Sequence, residues 1–255
     1  MVIAIVNSKG GVGKTTTSIG LAAALARADR RVLLVDLDSQ ASASAWCGVP
    51  PARLRPSSAT CLLEGYPAVQ AVRGTKTAHL DLITGSLELA NADLALCDRP
   101  ERELALQKTL APVRGRYGVV LLDCPPGLSL LTITAIMAAD ALIVPVVPRQ
   151  VVLDHLPGLT AAIDKVRLRL GARPRLLGLL LTMAQSRTPR DRAAAQRLRG
   201  QHLERVFQTE IPFSTAIEDA AAAGEPVLSF APKSPAASAY RRLALEVLQC
   251  LASRH

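Results

Sequence analysis

Lys9-Gly10-Gly11-Val12-Gly13-Lys14-Thr15-Thr16 follows the apolar run Val2–Val6, from which only Asn7 and Ser8 separate it. It fits the phosphate-cradling pattern GxxxxGK[ST] at every fixed position but one. The first glycine falls on Ser8, while Gly13, Lys14 and Thr15 supply the rest. A short buried strand is expected to enter a loop whose N–H groups face an anion. A helix opening near Gly13 adds its positive dipole end to the same spot. In such a loop Lys14 reaches the β/γ-phosphates of a nucleotide, and the Thr15 hydroxyl holds Mg²⁺. The bland alternative is a Gly-rich turn, and the order of strand, glycines, Lys-Thr and helical pattern speaks against it.

The rest of the chain suits a large α/β domain, expected to span 1–255. Its 255 residues are 49% hydrophobic, enough for a substantial core. No apolar run approaches the ~18–20 residues that cross a bilayer. MVIAIVN runs straight into the loop rather than forming a signal-peptide layout, so a cytoplasmic protein is expected. Cys47, Cys61, Cys97, Cys124 and Cys250 show no CxxC spacing, and the four histidines are scattered. Reduced, packed thiols are therefore expected rather than a zinc site or a disulfide framework.

The net charge of +9 is localised. Lys165 to Arg205 holds 11 Lys/Arg against 2 Asp/Glu, while the remainder has 19 of each sign. Such a patch suits a polyanion. Only seven Phe, Trp and Tyr occur in the chain, too few for a base-stacking platform for nucleic acid. DNA, if bound, is expected to be held by its phosphates with little sequence readout.

Val2–Val6, Val32–Val35, Val119–Leu122, Ala141–Val147 and Leu176–Leu181 read as strands buried on both faces. Helical patterns lie between them at Thr15–Ala28, Glu101–Val113 and Leu128–Ala138. The alternation predicts a doubly wound, mostly parallel sheet with helices on both faces and ligands beyond the carboxyl ends of the strands. Gln40 to Thr77 is harder to place, with short helices expected around Ala59–Leu63 and Ala68–Val72. A short strand follows at Leu80–Thr84, then a helical pattern over Leu87–Leu96. One strand ends in Asp36-Leu37-Asp38, whose two carboxylates point the same way. Another ends in Asp123, placed to reach Mg²⁺ through water.

With Lys9 before the glycines, the loop resembles the deviant Walker A motif of the ParA/MinD group of P-loop ATPases. The likeness extends along the chain. DLDSQASASAW, from Asp36, resembles the family's DLD and switch I, with Ala41 in place of a glycine. Asp123-Cys124-Pro125-Pro126 resembles its DCPP switch II, with Gly127 free to swing. LTMAQSR, ending in Arg187, resembles LTMxDxR, and IPFSTAIEDAAAAGEPV resembles the ParA/Soj C-terminal region, with Phe213 and Ala216 at two usually basic positions.

The resemblance implies ATP and Mg²⁺ as cofactors and assigns roles. Lys9, Gly10, Gly11, Val12, Gly13, Lys14, Thr15 and Thr16 cradle the nucleotide, and Met183 and Pro212 line its base. Thr15, Asp36 and Asp123 serve the magnesium, while Lys9, Lys14 and Asp38 carry catalysis. Lys9 crosses to the partner's nucleotide in a sandwich homodimer, and Asp38 orients or activates the attacking water. Arg187 contributes to non-specific DNA binding. Arg190, Arg192, Arg197 and Arg199, on a helix that Thr188 and Pro189 are suited to open, extend the basic face. The implied function is a switch for chromosome or plasmid partitioning, nucleoid-associated and stimulated by a ParB-like protein. The alternatives are a positioner of protein cargo, a MinD-like membrane-cycling ATPase and a metabolic synthetase. YRRLALEVLQCLASRH reads as a helix of the fold rather than a membrane tail, and no synthetase substrate motif is recognisable.

Overall fold

The computed structural model describes residues 1–28, 30–149, 156–172, 174–184, 189–201 and 206–252. Seven strands form one sheet: β1 Val2–Ile5, β2 Val32–Asp36, β3 Arg73–Gly74, β4 Leu80–Ile83, β5 Val119–Asp123, β6 Ala141–Val146 and β7 Arg175–Leu181. Their order is β3-β4-β2-β5-β1-β6-β7. Every pairing is parallel except that of the two-residue edge strand β3 with β4. A strand that short leaves no periodicity to read in the sequence.

The central strands are apolar up to the carboxylates that end β2 and β5, because both faces are covered. Val2, Ala4 and Val6 turn to one side with Val120, Leu122 and Val144, under the helices Ala105–Arg114 and Leu130–Ala138. Ile3 and Ile5 turn to the other with Leu34, Leu121 and Ile143, under the helices Lys14–Ala26 and Pro235–Ala252. Gly20 lets those two helices meet, since a Cβ there would stand 2.6 Å from the buried Tyr240 ring. With the long strands parallel, their carboxyl ends bring Asn7, Asp36, Asp123 and Thr182 to one edge.

Local expectations hold with adjusted bounds. The two short helices are Ser58–Glu64 and Ala68–Ala71. Leu87–Leu96 is split into a 3₁₀ turn, Leu87–Asn91, and an α-helix, Ala92–Leu96. A short helix at Ser42–Trp46 was not anticipated. Among the described residues, no helix is long and apolar enough to cross a membrane.

Candidate functional site

The phosphate loop is built on Asn7, a residue sequence reasoning passed over. Its buried amide donates to the Pro145 carbonyl of β6 at 2.7 Å, and its Oδ1 accepts from Lys9 N–H at 2.9 Å. Thr182 Oγ donates to the Val12 carbonyl at 2.8 Å from the end of β7. Gly11 and Gly13 take left-handed φ of 69° and 83°, which side chains other than glycine's resist. The Lys14–Ala26 helix then opens on Gly13 with no side-chain cap and no acidic residue in its first turn. Its leading N–H groups therefore face outward, suited to an anion.

Lys14 is 7% exposed, and its Nζ donates to the Lys9 carbonyl at 3.0 Å. Burial lowers its pKa, while the charge of Asp123 opposes that shift. Two of its three protons remain for a phosphate. The Lys9 side chain is half-buried and makes no hydrogen bond or ion pair among the described residues. Thr15 and Thr16 lie half-buried in the first turn.

Asp36 and Asp123 sit side by side in the β2–β5 register, both fully buried. Asp123 Oδ1 accepts from Ser18 at 2.8 Å, while its Oδ2 has no hydrogen-bond donor among the described residues. Burial pushes Asp123 up to about 7, aided by the charge of Asp36, and the Thr15 and Ser18 hydroxyls oppose the shift. Asp36 is pushed by burial to about 6. Its oxygens are taken by Ser44 N–H at 2.9 Å, Ser44 Oγ at 2.7 Å and Asp38 N–H at 3.1 Å. Three of the roughly four acceptor positions of this carboxylate are thus occupied, and it braces the Ser42–Trp46 helix.

Asp38 is partly buried, with Oδ1 accepting from Gln40 N–H at 2.9 Å. Gly85 makes room for this loop, because a Cβ there would meet the Asp38 carbonyl at 2.6 Å. Ala41, where the resembling pattern has glycine, is held at φ 50°.

These residues fit Mg²⁺ with a phosphate chain: one buried carboxylate oxygen lacking a donor, a threonine hydroxyl beside it, and an uncapped helix start. No group of three or more His, Cys, Asp or Glu side chains suited to a metal exists among the described residues. A magnesium ion that keeps waters and binds partly through phosphates does not need one.

Beyond Gly13 and Thr16 opens a cavity of about 270 Å³. Met183 and Pro212, expected at the base, both line it, joined by Trp46, Phe213 and Tyr240. Met183 has φ 51°, an unusual value for a bulky side chain.

The basic helix is observed as Pro189–Gln201, carrying Arg190 and Arg192. Leu198 faces the core with Ala194, and Ala195 packs against it. Arg197 is exposed and without a partner among the described residues. Arg199 differs. Its guanidinium donates to the Phe207 carbonyl at 3.0 Å, the Gln208 carbonyl at 3.3 Å and Glu210 at 2.9 Å. Arg199 therefore braces the chain after the helix. Arg187 and Thr188 lie outside the described residues.

A family model described as an AAA domain matches residues 1–176. Over 251 residues the chain is 42% identical to the chromosome-partitioning ATPase Soj of Thermus thermophilus, covering 96% of this chain and 94% of that protein. This chain belongs to the Soj/ParA family of partition ATPases. The sporulation initiation inhibitor protein Soj of Bacillus subtilis is 35% identical, covering 96% of this chain and 97% of its own. A solved structure named cobyrinic acid a,c-diamide synthase, from Mycobacterium smegmatis with an ATP analogue and magnesium, matches with TM-score 0.87. It is 32% identical over 100% of this chain and 96% of that one. The family, the doubly wound P-loop fold and the ATPase class expected from the sequence are borne out.

Proposed function

We propose that this Soj/ParA ATPase is an ATP-dependent switch that partitions a chromosome or plasmid by cycling between free and DNA-bound states. The observation that carries this reading is the pair of lysines on one loop. Lys14 is buried and turned into the phosphate site, whereas Lys9 is half-buried and its side chain has no partner among the described residues.

Gly10 to Thr16 bind the phosphates, Lys14 neutralises their charge, and Thr15 with Asp123 would hold Mg²⁺. Magnesium bound there supplies positive charge against the phosphates. Met183 and Pro212 line the base. Two subunits meet face to face, and each Lys9 reaches the other's nucleotide. The dimer therefore depends on ATP, because two cations converge on charge that ADP lacks. Asp38 positions the attacking water.

In the dimer, Arg197 with Arg187, Arg190 and Arg192 meets DNA phosphates, and a ParB-like partner stimulates hydrolysis that releases the DNA. The likeness to two Soj proteins at 42% and 35% identity favours partition over the reaction named for the synthase.

Asp38→Ala protein incubated with arbitrary duplex DNA across a salt series tests the reading. Retention with ATP but not ADP, weakening steeply with salt and lost on Arg197→Glu, is expected. Equal retention in both nucleotide states, or none, would refute a nucleotide-controlled DNA switch.

A further inference from the structure

Aromatic residues are scarce in this chain, three Phe, three Tyr and one Trp. Three of those seven line one cavity, beside Gly13 and Thr16. They arrive from unrelated elements. Trp46 ends the Ser42–Trp46 helix, Phe213 follows the Ala184–Pro212 bridge, and Tyr240 lies on the Pro235–Ala252 helix. Tyr240 is fully buried and packs on Gly20, so it forms the floor. Trp46 has its polar handle satisfied elsewhere, since Nε1 donates to the Glu225 carbonyl at 3.0 Å. That bond fixes an indole with no donor left to serve. Phe213 is 51% exposed, an apolar ring whose exposure favours a partner that covers it. Its neighbours in the cavity, Ile211, Pro212 and Ile217, are apolar as well.

We propose that Trp46 and Phe213 clasp the purine base of the nucleotide, making Phe213 a residue that sets affinity and base preference. The inference rests on the cavity being the base site of the proposed ATP switch. A planar ring system on an aromatic face gains both area and dispersion, and a two-ring purine gains more than a one-ring pyrimidine. The phosphate loop and its magnesium residues are indifferent to the base. The aromatics therefore divide the labour, with discrimination on one side of Gly13 and charge on the other.

Calorimetric titration of wild type, Phe213→Ala and Phe213→Tyr with magnesium and either ADP or CDP tests this without hydrolysis. Phe213 is half-exposed, so the alanine variant is expected to fold, and its melting curve checks that. Wild type is expected to prefer ADP over CDP. Phe213→Ala should bind ADP roughly ten-fold more weakly with the ADP/CDP ratio narrowed, and Phe213→Tyr should restore both. As a second reading, emission from Trp46, the sole tryptophan, should change more with ADP than with pyrophosphate.

Unchanged ADP affinity in Phe213→Ala, or equal losses for ADP and CDP, would overturn the clasp while leaving the switch intact. Loss of ATP-dependent DNA retention with ADP affinity preserved would likewise overturn it and assign the ring to the DNA surface. Failure of wild type to bind ADP would instead overturn the proposed function itself.

Discussion

Gly127 N–H donates to the Ser8 carbonyl at 3.0 Å, tying the loop after Asp123 to the residue just before the Lys9-Gly10-Gly11 turn. Gly127 takes φ 95°, a conformation that a side chain resists. In the proposed switch both joined segments meet the phosphates, so the bond is the natural place for one to report to the other. A phosphate group competing for the Gly127 N–H would release the tie. Gly127→Ala should therefore bind Mg-ATP within a few-fold of wild type yet hydrolyse it at least roughly ten-fold more slowly, a loss of about 1.4 kcal/mol in barrier height. Parallel calorimetry and phosphate-release assays check this, and unimpaired turnover would remove Gly127 from the switch.

The buried carboxyl pair gives a pH dependence with a definite sign. Asp36 and Asp123 are raised to about 6 and about 7 by burial, above the ~3.9 of an unfolded aspartate. The nucleotide-free folded state then binds more protons than the unfolded state between those values. The pair's stabilising contribution is full below pH ~4 and is lost as pH rises through about 6 and 7. Melting temperatures of the nucleotide-free wild type should fall, relative to Asp123→Asn, between pH 5 and 8. A difference that stays flat or grows would refute the shift.

Packing between the two helices on one sheet face rests on the absence of a single methyl group. A Cβ at Gly20 would sit 2.6 Å from the Tyr240 ring, so Gly20→Ala should cost about 1–3 kcal/mol by overpacking. For a chain of this size that lowers Tm by ~2–4 °C per kcal/mol, and calorimetric melting measures it.

Ala41 offers the opposite case. It is held at φ 50° just before the Ser42–Trp46 helix, where glycine relieves strain of ~1 kcal/mol less its larger unfolded-state entropy. Ala41→Gly should raise stability by a few tenths of a kcal/mol, read by urea denaturation.

Arg197 and Arg199 stand two residues apart and should part company. Arg199→Ala removes donors from two carbonyls and Glu210 and should cost about 1–3 kcal/mol of stability. Arg197→Ala should leave Tm unchanged and weaken DNA retention. Stability measured beside a DNA-binding assay separates the two.

Arg199 shows where sequence stops. The sequence groups it with Arg190, Arg192 and Arg197 on a basic face, but the carbonyls that accept from it belong to Phe207 and Gln208, beyond the helix. The bracing of Asp36 was hidden for a related reason, because its Ser44 donors come from a helix too short to leave a periodic signal. Asn7, Ser18 and Thr182 carry roles that only tertiary contact creates, so no local pattern announced them. The strands, by contrast, were legible because burial on both faces demands continuous apolar runs, and the phosphate loop because its chemistry is local. Phe213 was legible as a departure from a basic pattern, yet its place beside Trp46 and Tyr240 emerged only from the fold.

Sedimentation of Asp38→Ala protein with Mg-ATP, beside the Lys9→Ala/Asp38→Ala double variant, bears most directly on the ATP switch. The single variant is expected to run as a dimer with ATP and a monomer with ADP, and the double variant as a monomer with ATP despite binding it. A single variant that stays monomeric with ATP, or a double variant that dimerises as readily, would contradict a switch closed by Lys9.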